Sequence, residues 1–493
     1  MGFSELTFLF ILLPGSVILY LLSTGLKRIA LSNALLAVIS LAVYWWVSPE
    51  TMLFFVIFTV TVYVCGLAVS ASGKGVSENV SDGAAKDGIG KTPAGGHGKR
   101  LPAAIGICLF TLTLAFFKYV PAVMKALGEK KLFGTAVSRT AVPVGISFVT
   151  FEAISYIVDV YRKDAPCGSI LDVFLFISFF PKIVSGPIVL WKDFYPQLKD
   201  RISDFDVVTR GIDRIIVGFA KKVIIADTFG AQIALIEKGM EGYGADSGMY
   251  WLIALLYFFQ IYFDFAGYSD IAIGLMNIFG FDVKDNFDSP YVSLSVSEFW
   301  RRWHISLGTW FREYVYIPLG GNRRGNVYFN LSVVFLLTGI WHGASLTFLL
   351  WGVLHGFFVV TERVVRKKGW YKKIPAAIKW VFTMAVVFFG WILFRCESLP
   401  AVGRELSSMF EFSFPDDLVF TWRFYLTGKI IILLALAVFS SVAAFIKLPE
   451  SIKKKLNSCP MTGLKRLSFL LVFAADIIFI VNSSYSPFLY FQF

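Results

Sequence analysis

Residues 331–360 read LSVVFLLTGIWHGASLTFLLWGVLHGFFVV. The stretch is almost wholly apolar, yet it holds Trp341-His342-Gly343 near its middle and Leu354-His355-Gly356 near its end. A third histidine closes the upstream run Trp300-Arg301-Arg302-Trp303-His304, and the whole chain has 4 histidines. Placing a titratable polar group at bilayer depth costs about 2–3 kcal/mol even on lenient insertion scales. A histidine retained at such a position calls for a function.

The apolar character extends outward from this stretch. Of 493 residues, 56% are hydrophobic and 16% charged, with a mean hydropathy of +0.68. Soluble domains hold roughly 45–50% apolar and about 25% charged residues. Runs long enough to cross a hydrocarbon core of about 30 Å recur along the chain. Lipid leaves no water to satisfy open backbone groups. The fold class is therefore an all-α polytopic membrane protein, read as a single integral-membrane domain over residues 1–493.

The expected spans are roughly 6–23, 30–48, 51–70, 101–120, 142–160, 169–190, 210–236, 249–265, 266–281, 328–345, 346–362, 376–395, 427–446 and 467–486. The first run lacks the basic start and small-residue cleavage site of a secretion signal and reads as a retained span. Residues 71–100 are rich in Gly, Ser and Lys and read as a flexible polar loop, with His97 inside it. The net charge of +12 does not point to nucleic acid, because the basic residues cluster in short connections. Lys27-Arg28, Lys74 to Arg100, Arg363 to Lys368 and Lys453-Lys454-Lys455 are such clusters. Placed inside, they put the N-terminus outside. Basic residues on the consecutive connections around Lys125–Arg139 and Arg301–Arg324 break that alternation, which re-entrant segments would explain. The five cysteines have neither CxxC nor metal-ligand spacing and read as free thiols.

Two regions are not simple spans. Between 205 and 236, Asp206, Arg210, Asp213, Arg214, Lys221 and Lys222 interrupt apolar positions at helical spacing, as in a partly buried helix. From Asp282 to Arg324 polar and apolar residues alternate. Asp285-Asn286-Phe287-Asp288-Ser289-Pro290 reads as a turn. Ser295 and Glu298 have capping-box spacing for a helix carrying Phe299 to Phe311. Irregular backbone at this depth must be buried in protein or line a wet cavity. No internal repeat stands out, unlike transporters built from duplicated halves.

Ser289-Pro290-Tyr291, Glu298 to Leu307, Trp310-Phe311-Arg312 and Tyr316 to Arg323 form an ordered series. With Pro143 to Phe151, Phe180 to Ile188, Phe263 to Asp270, Gly339 to Ala344, Trp351 to Gly356 and the terminal Pro487 to Phe493, it resembles the membrane-bound O-acyltransferase (MBOAT) family. The likeness is to the alginate O-acetyltransferase, or AlgI-like, branch. It is dense over residues 142–356 and implies a catalytic core at 142–360, with re-entrant segments around a central funnel. By that resemblance His342 matches the active-site histidine and His304 a second, more variable polar position.

The chemistry supports the type of residue. Acyl transfer from a thioester to a hydroxyl needs a group that takes the hydroxyl proton near neutral pH, and histidine, with an unperturbed pKa of about 6.5, suits it. Burial among Trp341, Trp303 and Phe348 would favour the neutral imidazole. The rival for His342 is a structural interhelical hydrogen bond. For His304, a structural or substrate-positioning role is as open as a catalytic one. On one continuous helix His355 would lie about 220° from His342, which argues for a structural residue. Asp264 and Asp270 are six positions apart, off a common helical face, and suit capping or interhelical pairing. Leu319 to Arg324 lacks the GK[ST] end of a P-loop. Asn322, Arg323 and Arg324 could still hold the phosphates of an acyl-coenzyme A through backbone N–H groups and charge, against a lipid headgroup contact or a plain turn. No GxSxG elbow, HExxH or metal-spaced cluster occurs.

The resemblance implies an O-acetyltransferase of the bacterial cytoplasmic (inner) membrane with acetyl-CoA as co-substrate and no permanently bound cofactor. It would serve acetylation of an exported or cell-surface polysaccharide, with a periplasmic or surface acyltransferase as partner. The alternatives are D-alanyl transfer to teichoic acid and a non-enzymatic polysaccharide-precursor transporter.

Overall fold

Residues 5–26, 28–72, 97–126, 142–184, 186–201, 204–413, 418–443 and 459–482 are described by a computed structural model. Among them the regular structure is helical throughout, without strands. Among the described residues, seven helices are long and apolar enough to cross a membrane: Phe8–Gly25, Ile29–Val47, Pro49–Ala71, Arg100–Met124, Ser247–Ile278, Leu346–Val365 and Ala376–Arg395. Val327–His342 and Gly428–Ala443 are shorter apolar helices. The protein is a multi-pass, all-α membrane protein.

The chain divides into two compact units. The first comprises Thr7–Thr209 with Leu275–Val283. It contains α1 (Leu13–Gly25), α2 (Ile29–Val47), α3 (Met52–Ala71), α4 (His97–Ala126), α5 (Ile146–Arg162) and α6 (Ile170–Ser178). His97, expected in the polar loop, opens α4 instead; most of that loop lies outside the described residues. The span expected over 169–190 is helical only in α6, beyond which the chain turns and runs extended.

Two close contacts organise this unit, at or beside the motifs of residues 143–151 and 180–188. Gly145 has a left-handed backbone (φ 72°), and a β-carbon there would meet the Ile183 carbonyl oxygen at 2.0 Å. Two helical turns further on, Glu152 pairs with Lys182 at 2.5 Å, both side chains fully enclosed. Lys182 also lies 4.7 Å from the Phe176 ring centroid. Such a pair gains little over an apolar replacement, yet removing one partner strands a buried charge. Gly66 on α3 leaves room for the Tyr156 ring, whose hydroxyl donates to the Cys167 carbonyl at 3.0 Å.

The second unit comprises Arg210–Gly274 and Lys284–Phe493. Helix α7 (Phe205–Phe219) passes through a π-helical segment, Ala220–Ala226, into α8 (Asp227–Tyr243). The two spans expected at 249–265 and 266–281 form one helix, α9 (Ser247–Ile278). Gly267 at their expected boundary does not break the helix; it lets α9 approach Gly218, where a β-carbon would lie 2.7 Å from the Gly218 carbonyl oxygen. Lys222 bridges Asp264 and Asp227, each at 2.6 Å. Asp270 takes Arg214 at 2.8 Å and Lys221 at 2.5 Å. The two aspartates of α9 thus pair between helices.

The helix expected to run through Phe299–Phe311 is two helices, α10 (Val296–Arg302) and α11 (Ile305–Phe311). His304 between them is left-handed (φ 46°), which no continuous helix accommodates. Ser295 caps α10 by accepting from the Glu298 amide at 3.1 Å. The Glu298 carboxylate accepts from the Leu294 amide rather than completing a capping box. Then follow α12 (Val327–His342), α13 (Leu346–Val365), α14 (Gly369–Lys373), α15 (Ala376–Arg395), α16 (Leu399–Phe410), α17 (Gly428–Ala443) and α18 (Cys459–Asn482). The terminal motif at 487–493 lies outside the described residues.

Lys182→Met is expected to lower stability by about 3–5 kcal/mol by stranding Glu152. Adding Glu152→Gln should recover part of that loss. Thermal unfolding in detergent checks both; an unchanged midpoint in the single variant would remove the pair's role.

Candidate active site

Helices α12 and α13 form an antiparallel hairpin that fixes two of the histidines. Asn326 caps α12 through the Tyr328 and Phe329 amides, and Ser345 caps α13 through the Thr347 amide. Between them the chain is extended at Gly343, where a β-carbon would sit 2.8 Å from the Phe348 ring. His342 is thereby the last residue of α12 and is buried. Its ring packs edge-on against Trp341 at 4.7 Å, Trp351 at 5.0 Å and Phe394 at 4.9 Å, and stacks with Phe348 at 6.0 Å. Trp341 and Phe348 were expected there. Trp303 is not among its ring neighbours: it packs on Trp391 at 4.8 Å, and Trp391 in turn packs on Trp351. Trp351 and Phe394 were not singled out because nothing local in the sequence ties α13 and α15 to the end of α12.

His304 is buried as well, its ring edge-on to Phe265 at 4.6 Å. Asn286 holds it. The Asn286 side-chain oxygen Oδ1 accepts from the Ser306 amide at 3.1 Å and the Ser306 hydroxyl at 2.9 Å, and lies 3.2 Å from His304 Nδ1. A backbone amide can only donate, so this atom is an acceptor and His304 Nδ1 carries the proton. The neutral ring then presents its lone pair on Nε2, which is buried and has no hydrogen-bond partner among the described residues. Asn286 had been read only as a turn former; its role depends on a contact 18 residues away.

His355 has the opposite tautomer. Trp300 Nε1, a donor only, gives its hydrogen to His355 Nδ1 at 3.3 Å, which leaves the proton on Nε2. That atom faces Gly390 on α15, where a β-carbon would lie 2.7 Å away. The ring packs on Trp351 at 5.0 Å. The angular argument for separating His355 from His342 assumed one helix. The chain reverses between them, so both pack on Trp351. His355 has its lone pair occupied and acts as a packing residue.

Around the loop at 319–325, the amides of Gly320, Gly321, Arg323 and Arg324 all donate to carbonyls within the loop or the preceding turn. The expected backbone phosphate cradle is therefore not available from these groups. The Asn322 side-chain oxygen accepts from Tyr316 and from Arg363, both at 2.8 Å. Arg323 and Arg324 are exposed.

A profile of MBOAT, the membrane-bound O-acyltransferase family, matches residues 103–399. The chain is 38% identical to a probable alginate O-acetylase AlgI of Pseudomonas putida, with the whole of both chains covered. The chain belongs to the MBOAT family. A second probable alginate O-acetylase AlgI, from Pseudomonas aeruginosa, is 35% identical over the full length of both chains. A peptidoglycan O-acetyltransferase of Helicobacter pylori is 32% identical over 63% of this chain and 65% of its own. The protein is thus an O-acyltransferase of the AlgI-like branch of the MBOAT family, and its His342 and His304 lie within the matched region.

Asn286→Ala should leave His304 without its anchor and cut acyl transfer at least tenfold while the protein still accumulates. Trp300→Phe, which removes only the donor to His355, should cost about 1 kcal/mol of stability and leave transfer near wild type. Paired transfer and unfolding measurements check the contrast; equal effects on activity would refute it.

Proposed function

We propose that this MBOAT protein moves acetyl groups from cytoplasmic acetyl-CoA towards O-acetylation of an exported or cell-surface polysaccharide, with His342 as the active-site histidine. Full-length relatives whose names specify alginate and a shorter match to a peptidoglycan acetyltransferase support the acceptor class. The observation that carries the reading is His342 itself, a buried imidazole at a helix end, walled by aromatic rings from three helices.

The reaction balances without a further reagent. The acceptor oxygen bonds to the thioester carbonyl carbon, the carbon–sulfur bond breaks, and coenzyme A leaves as its thiol. His342 takes the hydroxyl proton and returns one to the departing sulfur, a contribution of about 10²–10⁴ in rate for a well-placed base. His304, its Nε2 lone pair free, supports the acceptor. Arg323 and Arg324, with Asn322 held by Arg363, receive the coenzyme A phosphates. The protein resides in the bacterial cytoplasmic membrane. A periplasmic or surface acyltransferase completes delivery to the polymer.

His342→Ala and the similarly sized His342→Gln should each lose at least a hundredfold of acetyl transfer while reaching wild-type levels in the membrane. The readout is polysaccharide ester content together with transfer of label from acetyl-labelled coenzyme A. Wild-type ester content in either variant would exclude His342 as the base.

A further inference from the structure

The connection from α13 to α15 carries an apolar groove of about 330 Å³. Val296, Phe358, Val365, Trp370, Ile378 and Phe382 form its apolar lining. Two of the polar side chains along it, Glu362 and Thr383, are engaged within the protein. Glu362 accepts from the Ser297 amide at 2.8 Å, the Ser297 hydroxyl at 2.6 Å and Arg366 at 3.0 Å. Thr383 donates to the Lys379 carbonyl on its own helix at 2.8 Å. The trough therefore suits a hydrocarbon chain. Ile378 and Phe382 are 59% and 56% exposed on a helix of span length, so this wall opens where lipid would lie.

The mouth has the opposite character. Between residues 362 and 379 there are seven cations, Arg363, Arg366, Lys367, Lys368, Lys372, Lys373 and Lys379, and one carboxylate, Glu362. Lys367, Lys368, Lys372 and Lys373 are exposed, and no ion pair engages them among the described residues. Trp370 is 57% exposed beside Tyr371, and Lys379 Nζ lies 4.8 Å from the Tyr371 ring centroid. Tryptophan, tyrosine and lysine at the ends of spanning helices are residues of the membrane–water interface. Clustered basic residues there attract the anionic lipids of the cytoplasmic leaflet.

We propose that this groove binds an anionic phospholipid, one acyl chain lying between α13 and α15 and the phosphate facing the lysines around α14. The occupant must combine a hydrocarbon chain with a negative headgroup, because the groove offers an apolar wall and an uncompensated cationic mouth. A soluble phosphate compound would meet only the second.

Native mass spectrometry of the purified full-length protein, titrated separately with phosphatidylglycerol and phosphatidylcholine of identical chains, tests this. The tightest site should prefer phosphatidylglycerol at least tenfold. Replacing the four exposed lysines (K367Q, K368Q, K372Q, K373Q) should bring both lipids to equal affinity with an unchanged unfolding midpoint. Val365→Trp, which fills the groove, should weaken both. The proposal fails if wild type binds the two lipids equally or if the lysine variant keeps its preference. It fails equally if 3′-phosphoadenosine 5′-phosphate displaces the phosphatidylglycerol, which would make the cations a site for free phosphate.

Discussion

The hairpin of α12 and α13 depends on one backbone contact, between Gly339 and Gly352. A β-carbon on Gly352 would lie 2.6 Å from the Phe335 carbonyl oxygen and 3.1 Å from the Gly339 α-carbon; one on Gly339 would lie 2.6 Å from the Phe348 carbonyl oxygen. Within lipid, apolar side chains gain little by leaving one apolar medium for another. Association rests instead on close van der Waals packing, which small residues permit. Gly356 extends the contact against Phe335. His342 follows Gly339 by three residues, and Trp351 and His355 flank Gly352. Bringing the two backbones together therefore sets both imidazoles against one indole. A larger residue at either glycine would move the histidine and its wall together.

Charge serves assembly elsewhere in each unit. Glu152–Lys182 in the first and Lys222–Asp264 in the second are enclosed pairs whose members come from separate segments of the chain. Enclosed charges cost more to desolvate than their pairing returns over apolar replacements, so their value lies in specifying which segments meet. The motifs around Pro143 and Phe180 fit this description. They bring Gly145 to Ile183 and set Lys182 against Glu152, the residue that follows the first motif.

Much of the helical framework was legible from hydrophobic runs, and the burial of His342 from its place within one. The single helix α9 was not, because a glycine in an apolar run reads equally as a break or as a place of close approach. Only the facing Gly218 decides, and it is distant in sequence. The division at His304 escaped for a related reason. The stretch has helical spacing throughout, but the Asn286 anchor favours a left-handed residue that no local pattern announces. Helix periodicity also misplaced His355, since an angle along one helix loses meaning where Gly343 lets the chain reverse. The spacing of Gly320, Gly321 and the arginines suggested a phosphate cradle, yet the loop uses those amides to close itself.

If His342 is the base we propose, donor and acceptor meet at the end of α12. A cryo-EM structure of the protein with a non-hydrolysable thioether analogue of acetyl-CoA tests it most directly. The account predicts the carbon standing for the thioester carbonyl beside His342, with the acceptor position within about 3 Å of an imidazole nitrogen. The carbon held beside His355, or elsewhere away from the end of α12, would contradict it.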